Sequence, residues 1–390
     1  MRIAIISLMN GVPWGGSEEL WAGMARRALE QGHEIGVSVE TWPQLPAALE
    51  GLMKAGAFIS RRPRRNQRSF LKKAWRHFFQ SEYSAFAGIR SFGPDVVCVN
   101  QAGSHCAQGY PGLDQLLAEW GCPYVILSNS SDDRAELNED TRETMLRIFA
   151  GAFRAGFPSL ATQQRIETQL TWRLPNAFLF QYPLNIRDLS ELPWPSEEIP
   201  SFAFVGRVCT MKGIDCLFEA LATETWRNRQ FRLRLYGDVA NPSYFRRLAA
   251  FYEISRSVEF CGHASDIRDV WARNHVFVLP SRQEGAPISL LEAMVCARPS
   301  VVTAVGGIAD CVREGETGFI AEAPTPELLS RALERAWQSR DAWKEMGRRA
   351  RSITLERIEP DPGGSCLQLL LEAAQGAKTR IESPATREIS

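Results

Sequence analysis

Residues 276–294 read Val276-Phe277-Val278-Leu279-Pro280-Ser281-Arg282-Gln283-Glu284-Gly285-Ala286-Pro287-Ile288-Ser289-Leu290-Leu291-Glu292-Ala293-Met294. The first four form an unbroken apolar run, which reads as a short strand buried on both faces. Pro280 to Gly285 is loop composition, and Pro287 is favoured in the first turn of a helix, expected here over 289–297. Strand, loop and helix in this order predict a parallel sheet covered by helices, with ligands received in the loops after the strands. Glu284 lies in the loop and Glu292 more than one turn into the helix. That spacing separates them along the helix and argues against a close acid–base pair. Each can instead accept hydrogen bonds from a vicinal diol, one on a sugar and one on a ribose. Between them, the backbone around Gly285 and the N–H groups of Ala286, Pro287 and Ile288 are placed to face phosphate oxygens.

The same alternation extends in both directions. Apolar runs at 202–205, 233–236 and 300–303 predict further strands, with helices expected at 214–221, 243–252 and 327–337. Near the start, 3–7 reads as a strand and Gly11 to Glu18 as a glycine-rich turn. Ser17 is a candidate N-cap for a helix carrying Leu20, Trp21, Met24, Ala28 and Leu29 at helical spacing and stopped by Gly32. Further strands are expected at 35–39, 96–99 and 124–128. Pro183, Pro193, Pro195 and Pro200 fall in one stretch of linker composition. The fold class is therefore α/β: two doubly wound Rossmann-like domains, 1–182 and 201–355, joined by a linker at 183–200. A C-terminal helix within 356–375 and a disordered tail at 376–390 complete the expected organisation. Two such sheets facing each other would line a central cleft with their strand ends.

The chain has 390 residues, with 45 Lys plus Arg against 45 Asp plus Glu, so global charge argues for no nucleic-acid partner. The nine cysteines include no Cys-x-x-Cys pair, which fits reduced thiols rather than a zinc site. Neither a metal site nor a cofactor is expected. No run of about 20 apolar residues is present, and 3–9 is too short for a signal-peptide core. A cytoplasmic location is expected.

Two other loops carry candidate chemistry. Gly15 and Gly16, at a helix start, let backbone approach a phosphate, although Glu18 and Glu19 in the same turn would compete with an anion. Arg207 and Lys212, five residues apart after a strand, can converge on a diphosphate.

Together these pieces resemble the family 4-type retaining glycosyltransferases of GT-B fold. The matching segments are Gly15-Gly16-Ser17-Glu18, Gly206-Arg207 through Lys212-Gly213, Glu284 through Met294 with its Glu-x7-Glu spacing, Gly306-Gly307, and Glu316-Thr317-Gly318-Phe319. The second half matches closely; the first half matches mainly in its first 40 residues. The resemblance implies transfer of a sugar from a UDP- or GDP-type nucleotide sugar to a glycan, lipid-linked or small-molecule acceptor. It also implies that Gly15 and Gly16 border the donor, Arg207 and Lys212 grip its diphosphate, Glu284 holds sugar hydroxyls and Glu292 the ribose. The final helix would cross back to the first domain. The sequence departs from the pattern after the strand ending at Ser128. Many relatives carry a histidine there, whereas this chain reads Asn129-Ser130-Ser131-Asp132-Asp133, with Asn129 as a candidate sugar ligand.

The mechanism expected from these residues is metal-independent, because no Asp-x-Asp motif occurs. Arg207, Lys212 and helix N-termini would meet the charge of the departing diphosphate. The resemblance implies same-face attack with retention and no dedicated base. No acidic residue lies between Glu50 and Glu82, while Arg61, Arg62, Arg64, Arg65, Arg68, Lys72, Lys73 and Arg76 are interleaved with aromatics across 61–79. That stretch is a helix packed on the first domain, a peripheral contact with an anionic membrane at its inner face, or a grip on an anionic acceptor. Three readings remain beside the transferase: a nicotinamide-binding Rossmann enzyme, which lacks the Gly-x-Gly-x-x-Gly spacing; a catalytically weak or inactive sugar-nucleotide binding protein of the same fold; and another reaction on that fold, such as a sugar-nucleotide epimerase or a phosphorylase.

Overall fold

The computed structural model describes residues 1–64, 85–110, 112–131 and 136–382. The chain divides into two compact units, one formed by Met1–Pro183 with Glu359–Ser390 and the other by Leu184–Ile358.

The first unit holds β1 (Arg2–Ser7), β2 (Glu34–Glu40), β3 (Phe58–Arg62), β4 (Val96–Gln101), β5 (Tyr124–Ser128), β6 (Arg154–Phe157) and β7 (Ala177–Leu179). They form one sheet in the order β3-β2-β1-β4-β5-β6-β7, and every pairing is parallel. All six residues of β4 are buried, as a central strand covered on both faces requires. Helices α1 (Glu19–Glu30), α2 (Ala47–Lys54), α3 (Ala87–Ser91), α4 (Leu113–Trp120), α5 (Glu139–Gly151) and α6 (Leu160–Leu170) accompany this sheet. Strand order reverses between β1 and β4, the topological switch point of the sheet.

The second unit repeats the plan. Its strands are β8 (Ser201–Val205), β9 (Arg232–Tyr236), β10 (Val258–Gly262), β11 (Val276–Leu279), β12 (Ser300–Thr303) and β13 (Gly318–Ala321), in the order β10-β9-β8-β11-β12-β13. Here the switch point lies between β8 and β11. Helices α7 (Ile214–Ala220), α8 (Glu224–Arg227), α9 (Pro242–Phe251), α10 (Ile267–Arg273), α11 (Ile288–Val295), α12 (Pro326–Gln338) and α13 (Trp343–Leu355) accompany them. Phe202, Trp226, Phe231 and Trp343 pack edge to face in its core.

Three local expectations change. Ser17 is not a helix N-cap: Gly16–Glu18 forms a single 3-10 turn, α1 begins at Glu19, and no side chain caps it. The stretch expected as a linker belongs to the second unit from Leu184 onward. It is docked there: the buried Arg298 guanidinium donates to Pro193 O at 2.8 Å and stacks on the Trp194 ring at 5.2 Å. The last helix, α14 (Pro362–Glu382), begins later than the expected 356–375 and extends into the stretch expected to be disordered. It lies on α1, where Gly363 and Gly23 bring the backbones so close that a Cβ on Gly363 would sit 2.8 Å from Gly23 C. Glu359 N–H, just before it, donates to Gln181 Oε1 at 2.7 Å within the same unit.

Candidate functional site

In the second unit the loops after β8 and β11 are joined at the switch point. Residues 210–212 form a 3-10 turn, and Gly213 follows with φ +70°, a left-handed conformation that favours glycine. A Cβ on Gly213 would lie 1.8 Å from Pro280 O, so a side chain there would force the loops apart. Arg282 N–H donates to Met211 O at 3.0 Å. Its guanidinium meets Asp215 through two hydrogen bonds of 2.6 and 2.9 Å, a fork geometry matched to carboxylate. Across this seam Lys212 Nζ donates to Glu284 Oε1 at 2.6 Å, and Ser281 Oγ donates to the same oxygen at 2.7 Å. The Lys212 side chain is 27% exposed and that of Glu284 only 8%, so the carboxylate is sheltered while the ammonium borders solvent.

Behind this pair, Gly306 has φ +55°, and a Cβ there would lie 1.9 Å from Glu284 O. Gly307 N–H donates to Gly285 O at 3.0 Å. The 306–307 turn therefore fixes the backbone that carries Glu284. The adjoining α11 starts with no side-chain cap on its first N–H groups. Of the residues expected to face phosphate here, Pro287 is a correction: proline has no N–H, and it serves as the N-cap. Ala286 and Ile288 keep their donors. Glu292, on α11, is buried; its Oε1 accepts from Asn185 N–H at 3.0 Å and from Asn185 Nδ2 at 2.9 Å. Arg207 is exposed and has no hydrogen bond or ion pair among the described residues.

Lys212 and Glu284 are thus brought into direct contact, with Gly285 behind them. Sequence reasoning missed Asp215, Ser281, Arg282 and Asn185. Arg282 and Ser281 sat inside the quoted stretch, but nothing in the spacing announced their partners. Asp215 and Asn185 are 67 and 107 residues from theirs.

The first unit presents a different arrangement at its own switch point. Gly15 is extended at φ −161°, ordinary backbone for any residue, and its carbonyl accepts Glu18 N–H at 2.9 Å. Glu18 does not face a ligand across the helix start. It is turned inward and buried, accepting from Ser7 Oγ and Asn100 Nδ2, each at 2.7 Å. Burial pushes its carboxyl up to about 7, against the lowering effects of the Ser7 hydrogen bond and the Arg62 charge. Asn129 is buried too, and its amide is committed to protein partners: Nδ2 donates to Asn100 Oδ1 and Gln101 O, and Oδ1 accepts from Tyr182. Gly16 opens the 3-10 turn two residues before Glu18, so the Gly15–Gly16 turn and Asn129 belong to one hydrogen-bonded assembly.

Of the basic stretch, residues 65–79 lie outside those described. Arg62 is no surface cation: it is 1% exposed, donates to Ser38 Oγ at 2.7 Å and to Ser7 O, and lies against the Phe86 and Tyr110 rings. Among the described residues, no group of three or more His, Cys, Asp or Glu could hold a metal ion, and no helix is long and apolar enough to cross a membrane.

Residues 192–353 match the model of the family described as glycosyl transferases group 1. Among curated relatives, a D-inositol 3-phosphate glycosyltransferase of Streptosporangium roseum is 31% identical over 153 residues, 36% of this chain and 35% of that protein. An exopolysaccharide phosphotransferase of Streptomyces coelicolor is 29% identical over 238 residues, 60% of this chain and 23% of that protein. The chain spans about a third or less of the length of these two relatives. Among solved structures, Anabaena HepE in complex with UDP superposes with a TM-score of 0.71 at 16% identity, covering 96% of this chain and 100% of that one. WaaG, a glycosyltransferase involved in lipopolysaccharide biosynthesis, gives 0.68 at 18% identity, covering 94% and 99%. The fold is therefore GT-B. The likeness to the glycosyl transferases group 1 family falls on residues 192–353, within the second unit.

Proposed function

We propose that this protein is a glycosyltransferase that moves a sugar from a nucleoside diphosphate sugar to an acceptor hydroxyl with retention of anomeric configuration. The observation that carries the reading is the Lys212–Glu284 pair at the β8/β11 switch point, beside the uncapped start of α11 and the unpaired Arg207. Open parallel sheets receive ligands at this place. Breaking the sugar–phosphate bond leaves negative charge on the diphosphate, and preorganised cations and amide dipoles stabilise it. Arg207 and Lys212 supply the cations, and the first N–H groups of α11 supply the dipole. A diphosphate beside Lys212 competes with Glu284 for the ammonium, which frees the carboxylate to accept from sugar hydroxyls. Glu292 is the ribose ligand in this scheme, with Asn185 orienting its carboxylate. The departing phosphate takes the acceptor's proton, so no separate base is assigned. The acceptor class is a glycan, a lipid-linked saccharide or a small polyol, and the chemistry runs without a divalent cation. A cytoplasmic protein is the matching location. HepE binds UDP, which favours a UDP-type donor.

The test is a panel of UDP-, GDP- and other nucleotide sugars, screened by thermal shift and then by release of nucleoside diphosphate with and without EDTA, with NMR of the anomeric product. Turnover unchanged by EDTA and a retained anomer are expected. A protein that binds and turns over none of the panel would remove the reading. A second reading is favoured by one observation. Asn129 stands where many related enzymes carry a histidine, and its amide is fully engaged inside the first unit. A protein that binds a nucleotide sugar tightly but turns it over slowly would fit that arrangement. Binding without product release on the same panel identifies it.

A further inference from the structure

The two switch points are built alike but joined differently. In the second unit an ion pair links the two loops; in the first, one buried carboxyl terminates a chain of hydrogen bonds. Tyr182 O–H donates to Asn129 Oδ1 at 2.7 Å, Asn129 Nδ2 donates to Asn100 Oδ1 at 2.7 Å, and Asn100 Nδ2 donates to Glu18 Oε1 at 2.7 Å. The polarity of this chain is dictated by one group. Asn129 Nδ2 also donates to the main-chain oxygen of Gln101 at 2.6 Å, and a carbonyl oxygen can only accept. The Asn129 amide must therefore keep Nδ2 on that side and Oδ1 toward Tyr182. Asn100 must then offer Oδ1 to Asn129 and Nδ2 to Glu18. Every link runs toward the carboxyl, and Glu18 Oε1 is the obligatory last acceptor.

The chain holds loops as well as side chains. Leu8 N–H donates to Asn100 O at 2.8 Å and Asn129 N–H to Gln101 O at 3.1 Å. Met9 N–H donates to Ser7 Oγ at 3.3 Å, the hydroxyl that itself donates to Glu18. Ser130 Oγ donates to Ala102 O at 3.1 Å. Beside this lattice, Gln101 Nε2 and Ser128 Oγ are buried without a hydrogen-bond partner, although their residues face each other in register on β4 and β5. Interiors rarely leave such groups unpaired, and each one calls for an explanation.

We propose that Glu18 is a positioning residue of the first unit: as last acceptor of the Tyr182–Asn129–Asn100 relay, it holds the loops after β1 and β5 in the arrangement that receives a hydroxyl-bearing substrate. The reception of substrate rests on the glycosyl-transfer reading above; the relay does not. Substitution separates the acceptor oxygen from the charge. In Glu18→Gln, Oε1 still accepts from Asn100 while Nε2 can donate to Ser7 Oγ. In Glu18→Ala, Asn100 Nδ2 loses its partner. Tyr182→Phe removes only the first donor of the relay.

Hydrogen exchange of the full chain, read at the backbone amides of Leu8, Met9, Asn129 and Ser130, tests the relay. Glu18→Ala should speed exchange at these four positions by about tenfold or more, with β2 and the second unit unchanged, and Glu18→Gln should restore it to within about threefold of the natural protein. Tyr182→Phe should speed Asn129 and Ser130 and leave Leu8 and Met9 alone. The relay is overturned if Glu18→Gln behaves as Glu18→Ala, if exchange rises evenly across the first unit, or if none of the four positions responds. Should Glu18→Ala fail to fold, the Tyr182→Phe pattern decides. With a nucleotide sugar that the natural protein turns over, Glu18→Ala and Tyr182→Phe should lower kcat by about tenfold at unchanged KM for the donor, with recovery in Glu18→Gln. Unchanged kcat removes the positioning role. A natural protein that turns over no nucleotide sugar removes the glycosyl-transfer reading and the substrate role with it, while the exchange pattern still decides the relay.

Discussion

Glu18 and Glu284 are both buried carboxylates at the end of a central strand, and their partners set them apart. Glu284 faces an ammonium at 2.6 Å; Glu18 has neutral donors only, with no ion pair among the described residues. Burial raises the Glu18 carboxyl from the usual value near 4.5 to about 7, so the folded protein binds more protons than the unfolded chain between those values. Stability must then fall as pH rises through that window, by ~3 kcal/mol for a shift of this size. Urea unfolding of the first unit at pH 5 and pH 8 should show this loss in the natural protein and a flatter profile in Glu18→Gln. Arg62 opposes the effect, so its removal should steepen it. For the second unit, Lys212→Ala, Glu284→Ala and Arg207→Ala should each lower turnover at least about a hundredfold, ~3 kcal/mol of barrier, with far-ultraviolet circular dichroism unchanged. Near-normal turnover in all three would defeat the assignment. Both glutamates could be named from the sequence, but their environments could not. Loop composition placed Glu284 after its strand, whereas Glu18 was read as a first-turn acid competing with an anion, because local rules see the dipole and not the strands beneath it.

At the scale of elements, the site depends on close backbone approaches that only glycine allows. Gly213 combines φ +70° with a Cβ position 1.8 Å from Pro280 O. Gly32 has a similar φ of +78° but open space around it. Gly32→Ala should therefore cost only backbone strain, ~1 kcal/mol. Gly213→Ala should also part the two loops, lower the Tm of the second unit by about 5 °C or more and abolish turnover. Equal effects of the two substitutions in differential scanning calorimetry would show that the loop contact contributes nothing. The strongly apolar strands β1, β5 and β11 were legible in the sequence because burial on both faces leaves a continuous run. β3 was not, since Phe58-Ile59-Ser60-Arg61-Arg62 mixes polar groups that only its neighbours justify: Arg62 is there to bond Ser38 and Ser7. β7 is three residues long, too short for any period to register.

At the scale of the molecule, the first unit is closed by residues from the far end of the chain. Cys366, Leu367, Leu370, Ala373 and Ala374 of α14 are buried, and Asp361 meets Arg27 at the surface. Removing residues 359–390 strips that cover. Loss of the two leucines alone should cost ~4 kcal/mol or more, so the first unit's thermal transition should fall by about 10 °C while the second unit's stays within about 2 °C. A uniform shift of both transitions would mean that the helix serves the chain as a whole. The return of the chain was expected from resemblance, not from composition, because α14 carries no pattern that names α1 as its partner. The Gly363–Gly23 approach that sets their spacing joins residues 340 positions apart.

Hydrophobic runs, glycine turns and the loop composition of 280–285 determined two doubly wound sheets and the loop that carries Glu284, because each is a local consequence of burial period or backbone freedom. Tertiary structure alone decided which polar groups meet. Lys212 with Glu284, Arg282 with Asp215, Asn185 with Glu292, and the relay ending at Glu18 all join residues brought together by strand order. Strand order is set by packing across the whole sheet, and a stretch of sequence read by itself contains no record of its neighbours in space.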